Sequence, residues 1–322
     1  MLQRARLSLC LAALIAGAQP GVAQQVAPPP AAATPSPTEE QLLAFRESER
    51  RMHVPVRVGD AGPYRFIIDT GAERSAISRQ VAGTLGLAAG PTVRVAAMTG
   101  SRDVATVRIP SLHIDRLARP QAIDAPSFER EHLGADGLIG LDALANNAVH
   151  IDFEAREMRV ERASRRRLSS NGDEIVVVGR SLAGRLIVSD AYVRGKRIAV
   201  VLDTGTSVSV GNAALFRLIE DRSTELPPVH LVSVTGEAVN APFRQLHSFE
   251  VGDVTFRDVP IAFADAAPFE RLGLTDRPAM FLGMDALHLF RQVRIDFPNR
   301  QVRFLLPRGP RLALNQRPTR LR

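Results

Sequence analysis

The sequence predicts an all-β protein of two similar lobes, with a functional cleft between them. Three observations predict it. Two apolar runs, Phe66-Ile67-Ile68 and Val200-Val201-Leu202, read as strands buried on both faces, and each ends in Asp-Thr-Gly: Asp69-Thr70-Gly71 and Asp203-Thr204-Gly205. Four blocks recur in the same order in the two halves of the chain. Outside these blocks, short apolar alternations broken by Gly, Pro and Asn dominate from Met52 onward, and helical patterns are short. A carboxylate at the end of a strand that is apolar on both faces is costly unless it is hydrogen-bonded or shares its charge. Two such carboxylates at matched places are most economically explained as partners brought together by two similar halves.

Residues 1–23 read as a secretory signal: Arg4 and Arg6 precede an apolar core from Leu7 to Ala18, with small residues at Gly21 and Ala23. The expectation is an exported chain, periplasmic or secreted. Cys10, the single cysteine, lies inside this segment and follows Leu9, so lipidation is not expected, and the mature chain would have neither a disulfide nor a thiol nucleophile. No run is long enough for a comfortable membrane span. Residues 24–50 form a Pro- and Ala-rich linker followed by a short helix, opened by Thr38 with Gln41 three residues on. Its role as a propeptide-like segment or as a spacer stays open, as does activation by its removal.

The first lobe spans residues 51–163. His53 to Val58 alternates, residues 59–63 turn, and Tyr64 to Asp69 is the buried strand. A short helical piece covers Arg79 to Leu87. A hairpin spans Val93 to Val107 with Thr99-Gly100 at its tip, and a strand follows around Ser111 to Ile114. Gly137-Leu138-Ile139-Gly140 leads into a short helix near Asp142 to Asn146, and Val149 to Phe153 and Glu157 to Val160 close the lobe. Residues 164–173, with the run Arg165-Arg166-Arg167, are the polar interlobe linker; a solvated stretch is preferred there over a processing site.

The second lobe, residues 174–307, repeats the first. Leu186 to Val193 and Arg197 to Asp203 remake the opening hairpin, and Val234-Thr235-Gly236 stands where Met98-Thr99-Gly100 stood. Phe281-Leu282-Gly283-Met284-Asp285 matches Leu138-Ile139-Gly140-Leu141-Asp142, and Val293 to Phe297 matches Val149 to Phe153. The offset drifts from 134 residues at the Asp-Thr-Gly motifs to 143 and then 144, as loop insertions would make it. Residues 308–322 are a basic tail, read as solvated.

These motifs resemble the pepsin and retropepsin-like aspartic proteases, most closely single-chain bacterial members with two retropepsin-like lobes, over roughly Val54 to Leu306. Asp69-Thr70-Gly71-Ala72 is similar to the retropepsin form, and Asp203-Thr204-Gly205-Thr206-Ser207 to the C-terminal lobe of pepsins. The resemblance implies a bilobal acid-protease fold of two duplicated β-barrels and an aspartic endopeptidase with Asp69 and Asp203 as its catalytic dyad. Thr70 and Thr204 would hold the two loops together, Gly71 and Gly205 would let backbone amides approach the carboxylates, and the tips at Thr99, Gly100, Thr235 and Gly236 would be flaps. It implies a polypeptide substrate, a monomer with pseudo-two-fold symmetry, and neither metal nor cofactor. Two departures stand out. The family's acidic residue after the motif pairs with an arginine just after the apolar-apolar-Gly, but Leu141 and Met284 occupy those places, so that ion pair is absent. Ala72 and Thr206 differ between the lobes, so the hydrogen bonding of the two aspartates is expected to differ. Asp142 and Asp285 are expected to be structural, at the starts of short helices.

The remaining chemistry narrows the field. The formal charge of +7 comes almost wholly from arginine, Lys196 being the only lysine, and with no tryptophan and two tyrosines there is no basic aromatic surface for nucleic acid. The seven histidines are scattered without metal-ligand spacing, and no serine sits in a nucleophile elbow. The competing reading is a non-catalytic protein that binds peptides or a partner in the same cleft. Retention of both aspartates, each followed by Thr-Gly, favours the enzyme.

Overall fold

The computed structural model describes residues 52–114, 121–163, 174–308 and 314–316; the expected signal segment, N-terminal linker, interlobe linker and most of the basic tail lie outside these. The first lobe runs β1 (His53–Val58), β2 (Ala61–Ile68), β3 (Ala76–Ser78), α1 (Arg79–Thr84), β4 (Val93–Ala97), β5 (Gly100–Val104), β6 (Thr106–Ile114), β7 (Gln121–Phe128), α2 (Arg130–Leu133), β8 (Gly137–Ile139), α3 (Leu141–Leu144), β9 (Asn147–Asp152) and β10 (Glu157–Arg162). Six strands close a barrel in the order β1-β2-β8-β3-β7-β6. The second lobe runs β11 (Glu174–Leu182), β12 (Arg185–Val193), β13 (Lys196–Leu202), β14 (Ser209–Gly211), α4 (Ala213–Ile219), β15 (Ser223–Val232), β16 (Ala238–Val251), β17 (Val254–Phe263), α5 (Ala267–Arg271), β18 (Ala279–Leu282), α6 (Met284–Leu287), β19 (Gln292–Asp296) and β20 (Gln301–Leu305). Here β12-β13-β18-β14-β17-β16 closes the same ring through pairing of β12 with β16. Every strand of one ring has its counterpart in the other, and the all-β, bilobal, duplicated fold is what the repeats predicted.

The motif strands show why they are apolar on both faces. In β2, Phe66 and Ile68 point into the main core, whereas Ile67 points the other way into a second cluster with Leu138, Phe128 and Leu133. In β13, Val200 and Leu202 join the main core while Ala199 and Val201 join the equivalent cluster with Phe281, Phe269 and Leu272. The period-two alternation is intact, but both faces are covered. The duplication reaches the helix caps: Ser78 accepts from the Val81 amide ahead of α1, and Asn212 accepts from the Leu215 amide ahead of α4.

The lobes are joined by backbone pairing. β9 lies antiparallel to β19 with Ile151 opposite Val293 and Val149 opposite Ile295, all four fully buried. The last hairpins of the two halves thus make one continuous sheet in the order β10-β9-β19-β20-β11. A short strand, β21 (Leu314–Gln316), pairs with β17. The first-lobe hairpin is shorter than expected: β4 and β5 form a separate two-stranded ribbon, and Thr106 already belongs to barrel strand β6.

Candidate active site

Each Asp-Thr-Gly loop is held by a strand that crosses behind it. β2 runs parallel to β8 with Ile68 opposite Ile139, and the Asp69 amide donates to the Ile139 carbonyl at 2.9 Å. In the second lobe β13 runs parallel to β18, and the Asp203 amide donates to the Leu282 carbonyl at 3.0 Å. Behind the loops, Ser75 Oγ donates to Asp142 (2.7 Å) and Ser209 Oγ to Asp285 (2.8 Å), while those hydroxyls accept from the Gly140 and Gly283 amides, each at 3.0 Å. Asp142 and Asp285 are therefore structural, acting more through these serines than through the one-turn helices they enter.

The two loops grip each other through their threonines. Thr70 Oγ1 donates to the Leu202 carbonyl (2.8 Å) and accepts from the Thr204 amide (3.1 Å). Thr204 Oγ1 reciprocates, donating to the Ile68 carbonyl (2.7 Å) and accepting from the Thr70 amide (3.2 Å). Both threonines are buried, so all four bonds are shielded from water. Thr204→Val would orphan the Thr70 amide and the Ile68 carbonyl and should cost about 2–5 kcal/mol, read from the denaturant midpoint; Thr204→Ser should recover most of it. A valine variant as stable as the parent would deny the grip any role in joining the lobes.

The grip brings Asp69 and Asp203 together. Asp69 Oδ1 accepts from the Gly71 amide (2.9 Å) and the Ala72 amide (2.8 Å), and Asp203 Oδ1 accepts from the Gly205 amide (2.9 Å). The Thr206 hydroxyl turns away to the Val208 carbonyl. The glycines are required by close approach: a Cβ on Gly71 would lie 2.6 Å from the Asp203 carboxyl carbon, and one on Gly205 would collide with the Asp69 carboxylate. Each carboxyl thus lies against the glycine of the other motif, close enough for the Asp69 charge to act on Asp203. Loss of hydration raises Asp69, against the pull of the Ala72 and Gly71 amides. Asp203 is pushed up to about 8, first by the same loss of hydration and then by the Asp69 charge. Two carboxyls coupled in this way titrate as a unit.

The flap candidates lie at hairpin tips. Thr99 precedes β5, which Gly100 opens, and Thr235 and Gly236 lie between β15 and β16. The tips are clasped: Thr99 Oγ1 donates to Glu237, which also pairs with Arg102. Each tip reaches the other lobe, Met98 packing on the Val201–Phe281 cluster and Val234 on the Ile67–Leu138 cluster.

Sequence reasoning missed the partners of Glu73. It accepts from Arg185 Nη1 (3.1 Å) and from Arg271 Nε and Nη2 (2.9 and 2.8 Å), both arginines coming from the second lobe. Burial pushes the Glu73 carboxyl up, but these two guanidiniums outweigh it and hold the group below its usual range. Leu141 and Met284 do stand where the family's arginine would, and Glu73 takes its cationic partners from across the lobe interface instead. A fifth duplicated block could have pointed there, Phe128-Glu129-Arg130 against Phe269-Glu270-Arg271, although Arg130 stays within its lobe and pairs with Asp136.

Two surface hollows, one of about 560 Å³ beside His53, Arg65 and Asp136 and one of about 310 Å³ beside Arg180, Arg197 and Arg277, include no residue of the dyad or the flap tips. Among the described residues no three His, Cys, Asp or Glu side chains gather as a metal site, and no helix is long and apolar enough to cross a membrane. No curated relative matches the chain. The sequence model of a family described as aspartyl protease matches it twice, over residues 54–143 and 189–286, one match on each lobe and each containing one Asp-Thr-Gly motif. Those matches cover more than half of the chain, and they agree with the duplicated barrels and the paired carboxyls: the chain belongs to the aspartyl protease family.

Proposed function

We propose that the chain is an aspartic endopeptidase in which Asp69 and Asp203 hydrolyse peptide bonds as one acid-base unit. The observation that carries this reading is the pair of buried carboxyls brought face to face at the ends of two matched strands, one from each lobe, each lying against the glycine of the other's motif. Two carboxyls in contact cannot both ionise cheaply, so the working form holds one proton. The ionised member takes a proton from a water, whose oxygen attacks the peptide carbonyl carbon. The protonated member hydrogen-bonds the carbonyl oxygen as negative charge develops there. The nucleophile is water, so the reaction calls for no covalent enzyme intermediate. An extended polypeptide would lie between the dyad and the flap tips, held mainly by backbone hydrogen bonds, with the flaps excluding water.

The same reading makes the protein a monomer, because each lobe supplies the carboxylate that each subunit of a two-fold dimer would supply. It also makes it an exported protein, on the strength of the basic and then apolar stretch at residues 4–18.

The test is to incubate the folded chain with a diverse peptide mixture between pH 3 and 8 and identify products by mass spectrometry. Internal cleavage is expected. Saturable peptide binding without cleavage at any pH would replace the enzyme by a peptide-binding protein. The kcat/KM profile should be bell-shaped, since only the singly protonated pair is active, with an alkaline limb near the value of about 8 to which Asp203 is raised. A profile flat through pH 9 would contradict it.

A further inference from the structure

The two carboxyls sit in unequal surroundings, and the inequality centres on Arg185, the first residue of β12. Its side chain is 4% exposed, and its Nε donates to the Gly71 carbonyl (2.8 Å) while Nη1 donates to Glu73 (3.1 Å). Arg185 therefore reaches across the lobe interface into the loop that carries Asp69. Arg271 of α5 closes the arrangement from the solvent side through its two bonds to Glu73. Two cations thus face one carboxylate, leaving a net positive charge beside the dyad.

Among the described residues nothing comparable stands on the other side. The position matching Glu73 is Ser207, whose buried Oγ finds no hydrogen-bond partner among the described residues, and Arg130, which matches Arg271, is engaged by Asp136 of its own lobe. The residue matching Arg185 is Arg51, outside the described residues. Asp142 and Asp285 behind the loops are occupied by Ser75 and Ser209, and at the flap tips Arg102 is paired with Glu237. Asp69 also receives two backbone amides where Asp203 receives one.

We propose that Arg185 is a positioning residue that fixes the Asp69 loop and biases the dyad, so that Asp69 is the ionised, water-activating carboxylate and Asp203 carries the shared proton. The inference rests on the endopeptidase reading and deepens it. Asp69 removes one proton from water as the water oxygen bonds to the carbonyl carbon. The carbonyl π pair moves to oxygen, which takes the proton of Asp203, giving a neutral gem-diol, protonated Asp69 and ionised Asp203. When the C–N bond breaks, the amine nitrogen takes the proton from Asp69 and a diol hydroxyl returns one to Asp203. The products are a carboxylic acid and an amine, and the dyad regains its starting state. The positive charge of Arg185 favours ionisation of both members, so it should set where both limbs of the pH profile fall.

The test measures kcat and KM against pH for the full chain and for Arg185→Gln, Arg185→Lys and Glu73→Gln. In Arg185→Gln both limbs should move to higher pH, by about one unit. Glu73→Gln leaves the arginine without its counter-charge and should move both limbs the opposite way. Arg185→Lys should keep the limbs near the parent positions while lowering kcat, because a lysine keeps the charge but not the fork that spans Gly71 and Glu73. A purely structural arginine would lower stability or kcat and leave the limbs in place, and that result overturns the proposal. Should Arg185→Gln fail to fold, the opposite shift in Glu73→Gln remains the deciding sign. If the parent chain cuts no peptide, the endopeptidase reading fails by itself. Titration of the two carboxyls by carbon-13 NMR in the parent and in Glu73→Gln then still decides the bias: Asp69 ionising before Asp203 supports it, and equal or reversed ionisation overturns it.

Discussion

Asp69→Asn and Asp203→Asn are each expected to lower kcat/KM by about a thousandfold or more while leaving the barrels folded. Asparagine keeps the size of the side chain and can still accept the loop amides, from Gly71 and Ala72 at position 69 and from Gly205 at position 203. What it cannot do is exchange a proton with water or with the scissile carbonyl, and removing a positioned acid or base costs about 10²–10⁴ in rate. The losses should not add in the double variant, because the carboxyls act as one unit. Steady-state cleavage of the best peptide from the mixture reads the effect. Residual activity above a tenth of the parent's in either variant would remove that aspartate from the chemistry.

The second large effect is on stability, and it has the opposite sign to most active-site substitutions. Asp203 is raised in the folded chain to about 8, far above its ordinary value of 3.8. At acid pH folded and unfolded states both hold the proton. Between about pH 4 and pH 8 the unfolded chain releases it while the folded chain keeps it, so stability falls as pH rises. Asp203→Asn removes this penalty and should stabilise the protein at pH 8 by a few kcal/mol, allowing for the partial opening of the site to solvent, with little change at pH 4. Glu73 works the other way: its carboxyl is held low by Arg185 and Arg271, so its contribution is present above its ordinary value and is lost as the pH falls below it. Denaturant unfolding of parent and variant at the two pH values tests the first sign. Equal stability at pH 8 would mean that the pair is not strained by a second charge.

The barrels and the dyad were legible because they are written locally and twice. Val200-Val201-Leu202-Asp203 can be read as a doubly buried strand ending in a carboxylate, and the same pattern 134 residues earlier gives it a partner. β7 was not legible: Gln121–Phe128 carries Asp124 and Pro126, which argue against a barrel strand, and only pairing with β6 and β3 makes it one. Arg185 was not legible either. It stands 112 residues from Glu73 in a chain with arginines throughout, and nothing in its neighbourhood distinguishes it from a solvated strand end. The reciprocal packing of Met98 and Val234 on the opposite lobes needed the pseudo-two-fold arrangement to be seen. Contacts made within one motif are recoverable from spacing; contacts between the halves depend on how the halves dock.

The difference between Ala72 and Thr206 follows the same rule. The sequence shows that the residues differ. The structure adds that the Ala72 amide donates to Asp69, whereas Thr206 spends its hydroxyl on the Val208 carbonyl. The inequality at the carboxyls lies in the backbone, with two amides on Asp69 and one on Asp203, and the Thr206 hydroxyl takes no part in it.

Coupling between the halves is most directly tested by titrating the Asp203 carboxyl, by carbon-13 NMR, in the parent chain and in Asp69→Asn. The Asp69 charge is one of the two main causes holding Asp203 up, so replacing it with a neutral amide should move the Asp203 titration clearly to lower pH, leaving only the part due to lost hydration. A titration unchanged between the two proteins would mean that the carboxyls are independent, and the two motifs would then not form one site.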